Sequence, residues 1–163
     1  MKNTISFYGT LFSLFFILDR VSKFLVLTSV HEDTAIIHNF FTLSVTWNKG
    51  VSWSLLSFKS TLGTSLLTGF ILCVIVSFGI YTYINYKKGL NIILEIMVLA
   101  GALSNIADRF LYGAVLDFLE FNFETWYWPT FNIADILIVV GILGIILKNS
   151  VDAYVTKNKK SLP

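Results

Sequence analysis

Asp117 and Asp135 are the residues of this chain best suited to chemistry, because neither has a basic residue within four positions to cancel its charge. If the two face each other, like-charge repulsion and desolvation hold a single proton on the pair. The pair is then a general acid beside a general base. The ionised member takes a proton from water as the water attacks a carbonyl, and the protonated member polarises that carbonyl and later protonates the leaving amine. The predicted chemistry is amide hydrolysis. The other polar groups fall at helical spacings: Asp19 with Lys23, Asn105 with Asp108 and Arg109, and Asn132 with Asp135. Asp19/Lys23 and Asp108/Arg109 each balance their own charge and are expected to be structural ion pairs.

The elements that must position these groups lie in a very apolar chain. Of 163 residues, 55% are hydrophobic, 16% aromatic and only 13% charged, which excludes an ordinary soluble domain. A membrane-spanning helix needs about 20 mostly apolar residues, since its backbone polar groups must pair within the segment. Four stretches qualify, at about 5–27, 62–86, 90–111 and 131–147. Lys2, Lys87, Lys88, Lys148, Lys157, Lys159 and Lys160 flank the ends assigned to the inside. The connection between spans one and two sets Lys49 and Lys59 against Glu32 and Asp33, and 111–130 has neither Lys nor Arg, so both face outward. Both termini are then cytoplasmic. No small-x-small cleavage site follows the first span, which is read as a retained anchor. This orientation puts Asp19/Lys23, Asn105/Asp108/Arg109, Asp117 and Asn132/Asp135 at one depth, the outer third of the bilayer. Glu95 is the exception, in the inner half of span three, and is read as a snorkelling or bundle-facing carboxylate.

The outer connections, about 35–58 and 112–130, should carry a small sheet. Phe41, Leu43, Val45 and Trp47 alternate with Thr42, Ser44 and Thr46, the pattern of a half-buried strand. Asn48-Lys49-Gly50 follows as a turn. The aromatic stretch from Phe118 to Trp128 can pair with that strand, and Trp47, Trp53, Trp126, Tyr127 and Trp128 suit the headgroup zone. Cys73 is the sole cysteine, mid-span, and is expected to serve packing; His31 and His38 lack a third ligand at metal spacing.

These residues resemble the type II signal peptidases over the whole chain. Asp19-Arg20-Val21-Ser22-Lys23 resembles the family's Asp-x-x-x-Lys, and Asn48-Lys49-Gly50 its Asn-x-Gly. Gly101 to Arg109 resembles Gly-Gly-x-x-Asn-x-x-Asp-Arg, Gly113 to Phe118 resembles Gly-x-Val-x-Asp-Phe, and Phe131-Asn132-Ile133-Ala134-Asp135 matches Phe-Asn-x-Ala-Asp. The resemblance implies an all-α membrane protein, a four-transmembrane-helix bundle with a small extracytoplasmic β-sheet cradle and a short helix. It implies an aspartyl peptidase that needs no cofactor or metal and works as a monomer in the bacterial cytoplasmic membrane. Its substrate would be a diacylglyceryl-modified prolipoprotein cut before the lipidated cysteine, its surroundings membrane lipids, its inhibitor globomycin, and nucleic acid no partner. The catalytic pair carries over to Asp117 and Asp135. Asn48, Gly50, Asn105, Arg109 and Asn132 are expected to contact substrate or orient the pair, with Asp19, Lys23 and Asp108 in support. Spacing alone leaves Asp108 open as a member of the pair. Departures are Arg20 where Gln is common, Ala102 for the second Gly of its box, and Ser52-Trp53 for Ala-Phe, with Trp53 expected to narrow the cradle.

Two other classes fit parts of the pattern. A channel or proton-coupled transporter also places Asp, Asn and Arg in a membrane, but needs them along its whole depth. A noncatalytic assembly subunit would use the same groups only to hold helices together.

Overall fold

In the computed structural model, residues 2–30, 34–38, 40–50, 60–123 and 126–159 are described. Among them, four helices, α1 (Lys2–Ser29), α2 (Thr61–Lys87), α3 (Ile93–Tyr112) and α4 (Ile133–Lys159), carry most of the chain. Strands β1 (Thr34–His38), β2 (Phe41–Asn48), β3 (Val115–Phe123) and β4 (Trp126–Tyr127) form an antiparallel sheet in the order β1-β2-β3-β4. The architecture is mostly helical with one small sheet. The apolar stretches set the helices, but α4 runs a dozen residues beyond the expected 147, because nothing in Lys148–Lys159 breaks a helix. Residues 51–59, including Ser52 and Trp53, lie outside the described residues, as do His31, Glu32, Asp33 and Lys160.

α3 is the central helix and packs against α1, α2 and α4. Its approach to α4 depends on small residues. A methyl group on Gly101 would sit 2.5 Å from the Ala134 carbonyl oxygen, and one on Gly141 would sit 2.7 Å from that of Leu94. Ala102, the neighbouring departure from the family pattern, faces a cavity instead, so its methyl group leaves the crossing undisturbed.

Two helices, over Leu62–Lys87 and Ile133–Asn158, are long and apolar enough to cross a membrane. α1 and α3 are interrupted by Asp19, Arg20 and Lys23 and by Glu95, Asp108 and Arg109. Most of those charges point inward. Asp19, Lys23 and Asp108 are 0%, 1% and 0% exposed, while Phe24 on α1, Leu66 on α2 and Leu147 on α4 are 65%, 67% and 66% exposed. Glu95 is buried too and accepts a hydrogen bond from Asn85 Nδ2 at 3.2 Å, which makes it a bundle-facing carboxylate joining α3 to α2. Cys73 faces outward from α2, contrary to the packing role expected of it.

β2 pairs with β3 as the aromatic stretch suggested, and Phe41 meets Phe121 with ring centroids 5.5 Å apart. The strand is half-buried as expected, and its polar side is the buried one: Thr42 and Ser44 are buried, whereas Phe41, Leu43 and Val45 are only half-buried and Trp47 is exposed. Alternation states which side chains share a face, not which face turns inward. Thr46, at the bulge, is exposed, so only the first part of the polar strip turns in.

Candidate active site

Three local devices bring the polar residues together. The first is the end of α3. Gly113 takes φ 72°, and its N–H bonds the Arg109 carbonyl at 3.0 Å, a left-handed cap that turns the chain straight into β3. β3 therefore starts over the last turn of α3, and the buried Asp108 Oδ2 accepts the Leu116 N–H at 3.3 Å. Asp117 is the next residue.

The second device is a bulge. β2 pairs Leu43 with Leu119 but Thr46 with Asp117, so β2 carries one extra residue beside Asp117. This brings Asn48 alongside the start of β3, where Asn48 Nδ2 donates to Asp117 Oδ2 at 3.0 Å. Asn48 Oδ1 accepts the Gly50 N–H at 2.9 Å, which closes the expected turn.

The third device starts α4. Asp135 N–H donates to Asn132 Oδ1 at 2.9 Å, and Asn132 N–H donates to Asp135 Oδ2 at 3.1 Å. This is a reciprocal capping box, in which each side chain accepts the other residue's backbone N–H. The side-chain amide of Asn132 is left free to donate to Asp117 Oδ1 at 2.7 Å, to Asn105 Oδ1 at 3.1 Å and to the Leu116 carbonyl at 3.2 Å. Asn105 Nδ2 in turn donates to Asp135 Oδ1 at 2.9 Å. One asparagine thus touches both aspartates.

Asp117 and Asp135 line a cavity of about 550 Å³, together with Asn48, Gly50, Asn105 and Arg109. Its other walls are apolar: Ile71 from α2, Ala102 and Ile106 from α3, and Ile136, Val139 and Val140 from α4, with Trp128, Pro129 and Phe131 from the loop before α4. Asp117 is buried, and burial, followed by the neighbouring charge of Asp135, pushes its pKa up from 3.8 to about 7. The amides of Asn48 and Asn132, and the charge of Lys23, pull it the other way.

Behind the cavity lies a layer of full charges. Lys23 Nζ is 2.8 Å from Asp19 Oδ2 and 2.7 Å from Asp108 Oδ2. The expected Asp108/Arg109 pair does not form. Adjacent helical residues point about 100° apart, so Asp108 faces α1, where it pairs with Arg20 and Lys23, while Arg109 faces the cavity and donates to the Gly50 carbonyl. The same geometry removes Asp108 from the cavity, whose lining carboxylates are Asp117 and Asp135. Sequence reasoning registered Arg20 only as a departure and missed Ser104, whose hydroxyl donates to Asp19 Oδ2 at 2.6 Å. A charged residue in an apolar helix next to Asp19 was the available signal for Arg20; a helical serine gave none. Among the described residues, no cluster of His, Cys, Asp and Glu is arranged to hold a metal ion.

A bundle with apolar outer faces, charges turned inward and two aspartates lining one cavity defines a class, that of a membrane enzyme. The solved structure of a bacterial membrane enzyme superposes with a TM-score of 0.75 at 26% identity, covering 98% of this chain and 94% of the other. The profile of the signal peptidase (SPase) II family matches residues 11–151. A lipoprotein signal peptidase of Thermodesulfovibrio yellowstonii is 32% identical over 149 residues, covering 90% of this chain and 97% of its own. One of Anaplasma phagocytophilum is 33% identical over 128 residues, covering 77% and 80%. The chain belongs to the signal peptidase II family, whose members are aspartic proteases that remove signal peptides from prolipoproteins.

Proposed function

We propose that this protein removes the signal peptide from diacylglyceryl-modified prolipoproteins, cutting before the lipidated cysteine, with Asp117 and Asp135 as its catalytic pair. The observation that carries this reading is the single asparagine between them. Asn132 reaches Asp117 Oδ1 through its side-chain amide and Asp135 Oδ2 through its backbone N–H, so carboxyls from separate segments share one partner and line one cavity. With its pKa raised to about 7, Asp117 carries the shared proton below neutral pH and gives it up as the pH rises through that value. Asp135 takes a proton from water as the water oxygen bonds to the scissile carbonyl carbon, and Asp117 donates a hydrogen bond to the carbonyl oxygen. Collapse of the tetrahedral intermediate breaks the C–N bond as Asp117 gives its proton to the leaving amine, and the proton taken from water, now on Asp135, restores the one shared by the pair. Arg109 Nη1 is buried and has no hydrogen-bond partner among the described residues. It is the donor available to a substrate carbonyl, and the apolar walls take the hydrophobic part of the substrate.

All four helices cross the bacterial cytoplasmic membrane in this reading, as one domain with cytoplasmic termini. Support comes from the burial of Asp19, Lys23, Glu95 and Asp108, which removes the charge that sets α1 and α3 apart by composition. At about 1.5 Å per residue, Ile93 to Asn105 rises about 18 Å and Asp135 to Lys148 about 20 Å, which carries the site past the midplane toward the outer side of a core about 30 Å thick. The enzyme acts as a monomer and binds globomycin.

The test is cleavage of a lipid-modified precursor in liposomes. Asp117→Asn and Asp135→Asn should each lose about a thousandfold in kcat, and globomycin should raise the unfolding temperature of the wild type. Activity retained by Asp117→Asn but lost in Asp108→Asn would replace Asp117 in the pair.

A further inference from the structure

Asp19 and Asp108 lie on different helices, yet each fastens the backbone amide immediately before a proposed catalytic residue. Asp19 Oδ1 accepts the Ala134 N–H at 2.8 Å, one residue ahead of Asp135, and Asp108 Oδ2 accepts the Leu116 N–H, one residue ahead of Asp117. Both anchors are held by the same ammonium group, since Lys23 Nζ lies within 2.8 Å of each carboxylate. That nitrogen also donates to Asn105 Oδ1 at 3.0 Å. An ammonium group only donates, so the Asn105 oxygen must face Lys23, which turns the Asn105 NH2 toward Asp135.

We infer that Lys23 is the positioning residue of the catalytic pair, its one buried ammonium fixing the separation of the Asp117 and Asp135 segments and the orientation of the amide between them. This deepens the proposed function and rests on it. Stability alone does not account for such a cluster, because apolar residues of similar volume commonly replace buried ion pairs without loss. Geometry does, since a misplacement of about 1 Å at a reacting centre costs about a hundredfold in rate. Arg20 takes the remaining oxygen of Asp108 and balances the cluster at two acids and two bases, leaving the ammonium shared between the two anchors.

The charge-balanced double variant Lys23→Met/Asp108→Asn tests this, assayed beside Asp117→Asn and Asp135→Asn with wild type as reference. Positioning predicts a kcat about a hundredfold lower with KM nearly unchanged. The groups facing Asp117 are Asp135 on α4, Arg109 on α3 and Lys23 on α1. Neutralising Lys23 and Asp108 together leaves the net charge beside Asp117 unchanged, so the alkaline limb of kcat/KM should stay near its wild-type position while kcat falls per folded molecule, which a merely structural role would not do. Wild-type kcat in the double variant, with both Asn variants inactive, overturns this inference alone. Cleavage retained by Asp117→Asn or Asp135→Asn overturns the catalytic pair and this inference with it. If the double variant does not fold, hydrogen exchange on the wild type decides: the Leu116 and Ala134 amides, released by one opening, should exchange within about threefold of each other, and rates about tenfold or more apart overturn it.

Discussion

At Asp117 the balance between burial and neighbouring charge has a measurable consequence. Its carboxyl titrates near 7 in the folded protein against an ordinary 3.8, so the proposed reaction loses its shared proton as the pH rises through about 7. We expect kcat/KM to fall along an alkaline limb near that value in the wild type, measured with a lipid-modified precursor. The stability effect has the same sign. A carboxyl whose folded pKa is raised favours the folded state fully below about 4, and that contribution is lost as the pH climbs to about 7. The unfolding temperature should therefore decline over this window, and Asp117→Asn should flatten the decline. Arg109 gives a different signature. Arg109→Gln keeps a donor near the Gly50 carbonyl but loses the charge and the spare Nη1, so KM should rise about tenfold or more, as expected on losing a charged hydrogen bond to substrate.

At the level of elements, the site is made from chain ends. Gly113 ends α3, the Asn132/Asp135 box begins α4, and a bulge in β2 sets the facing strand. Capping and orientation are separable at Asn132. Asn132→Ser retains a side-chain oxygen for the cap but has no amide to donate to Asp117 and Asn105, so it should unfold near the wild-type temperature yet lose cleavage. Asn132→Ala should lose activity and also about 1 kcal/mol of stability. The α3–α4 crossing is equally specific. Gly101→Val would drive its side chain into the Ala134 carbonyl, and overpacking of that kind costs about 1–3 kcal/mol, read as a lower thermal midpoint in detergent.

The molecule as a whole is inverted relative to a soluble protein, with ion pairs inside and Leu, Ile, Val and Phe outside. The buried polar cluster does not extend through the bundle: between Glu95 and Ser104 the buried residues of α3 are Ile96, Val98, Ala100 and Gly101, which offer no polar path to an ion. The inverted surface makes α1 testable as a span. Leu14 is exposed near its middle, and Leu14→Lys on a membrane-crossing helix should cost roughly 2.5–3.5 kcal/mol of insertion, visible as loss of membrane-integrated protein. On a water-facing helix it would be nearly neutral.

The four apolar stretches, the β2–β3 pairing, the Asn48 turn and the Asp19/Lys23 pair were legible in the sequence because each depends on spacing along one segment. Spacing also singled out Asp117 and Asp135 as acids without a local partner, and motif resemblance placed the chain in its family. Tertiary structure decided the rest. It paired Asp108 with Arg20 and Lys23 rather than Arg109, turned Thr42 and Ser44 inward, and put Asn132 between two carboxyls fifteen residues or fewer away along the chain. These outcomes depend on how far helices rotate about their axes and how closely they cross. The close contacts at Gly101 and Gly141 fix the α3–α4 part of that geometry, and no local periodicity encodes it.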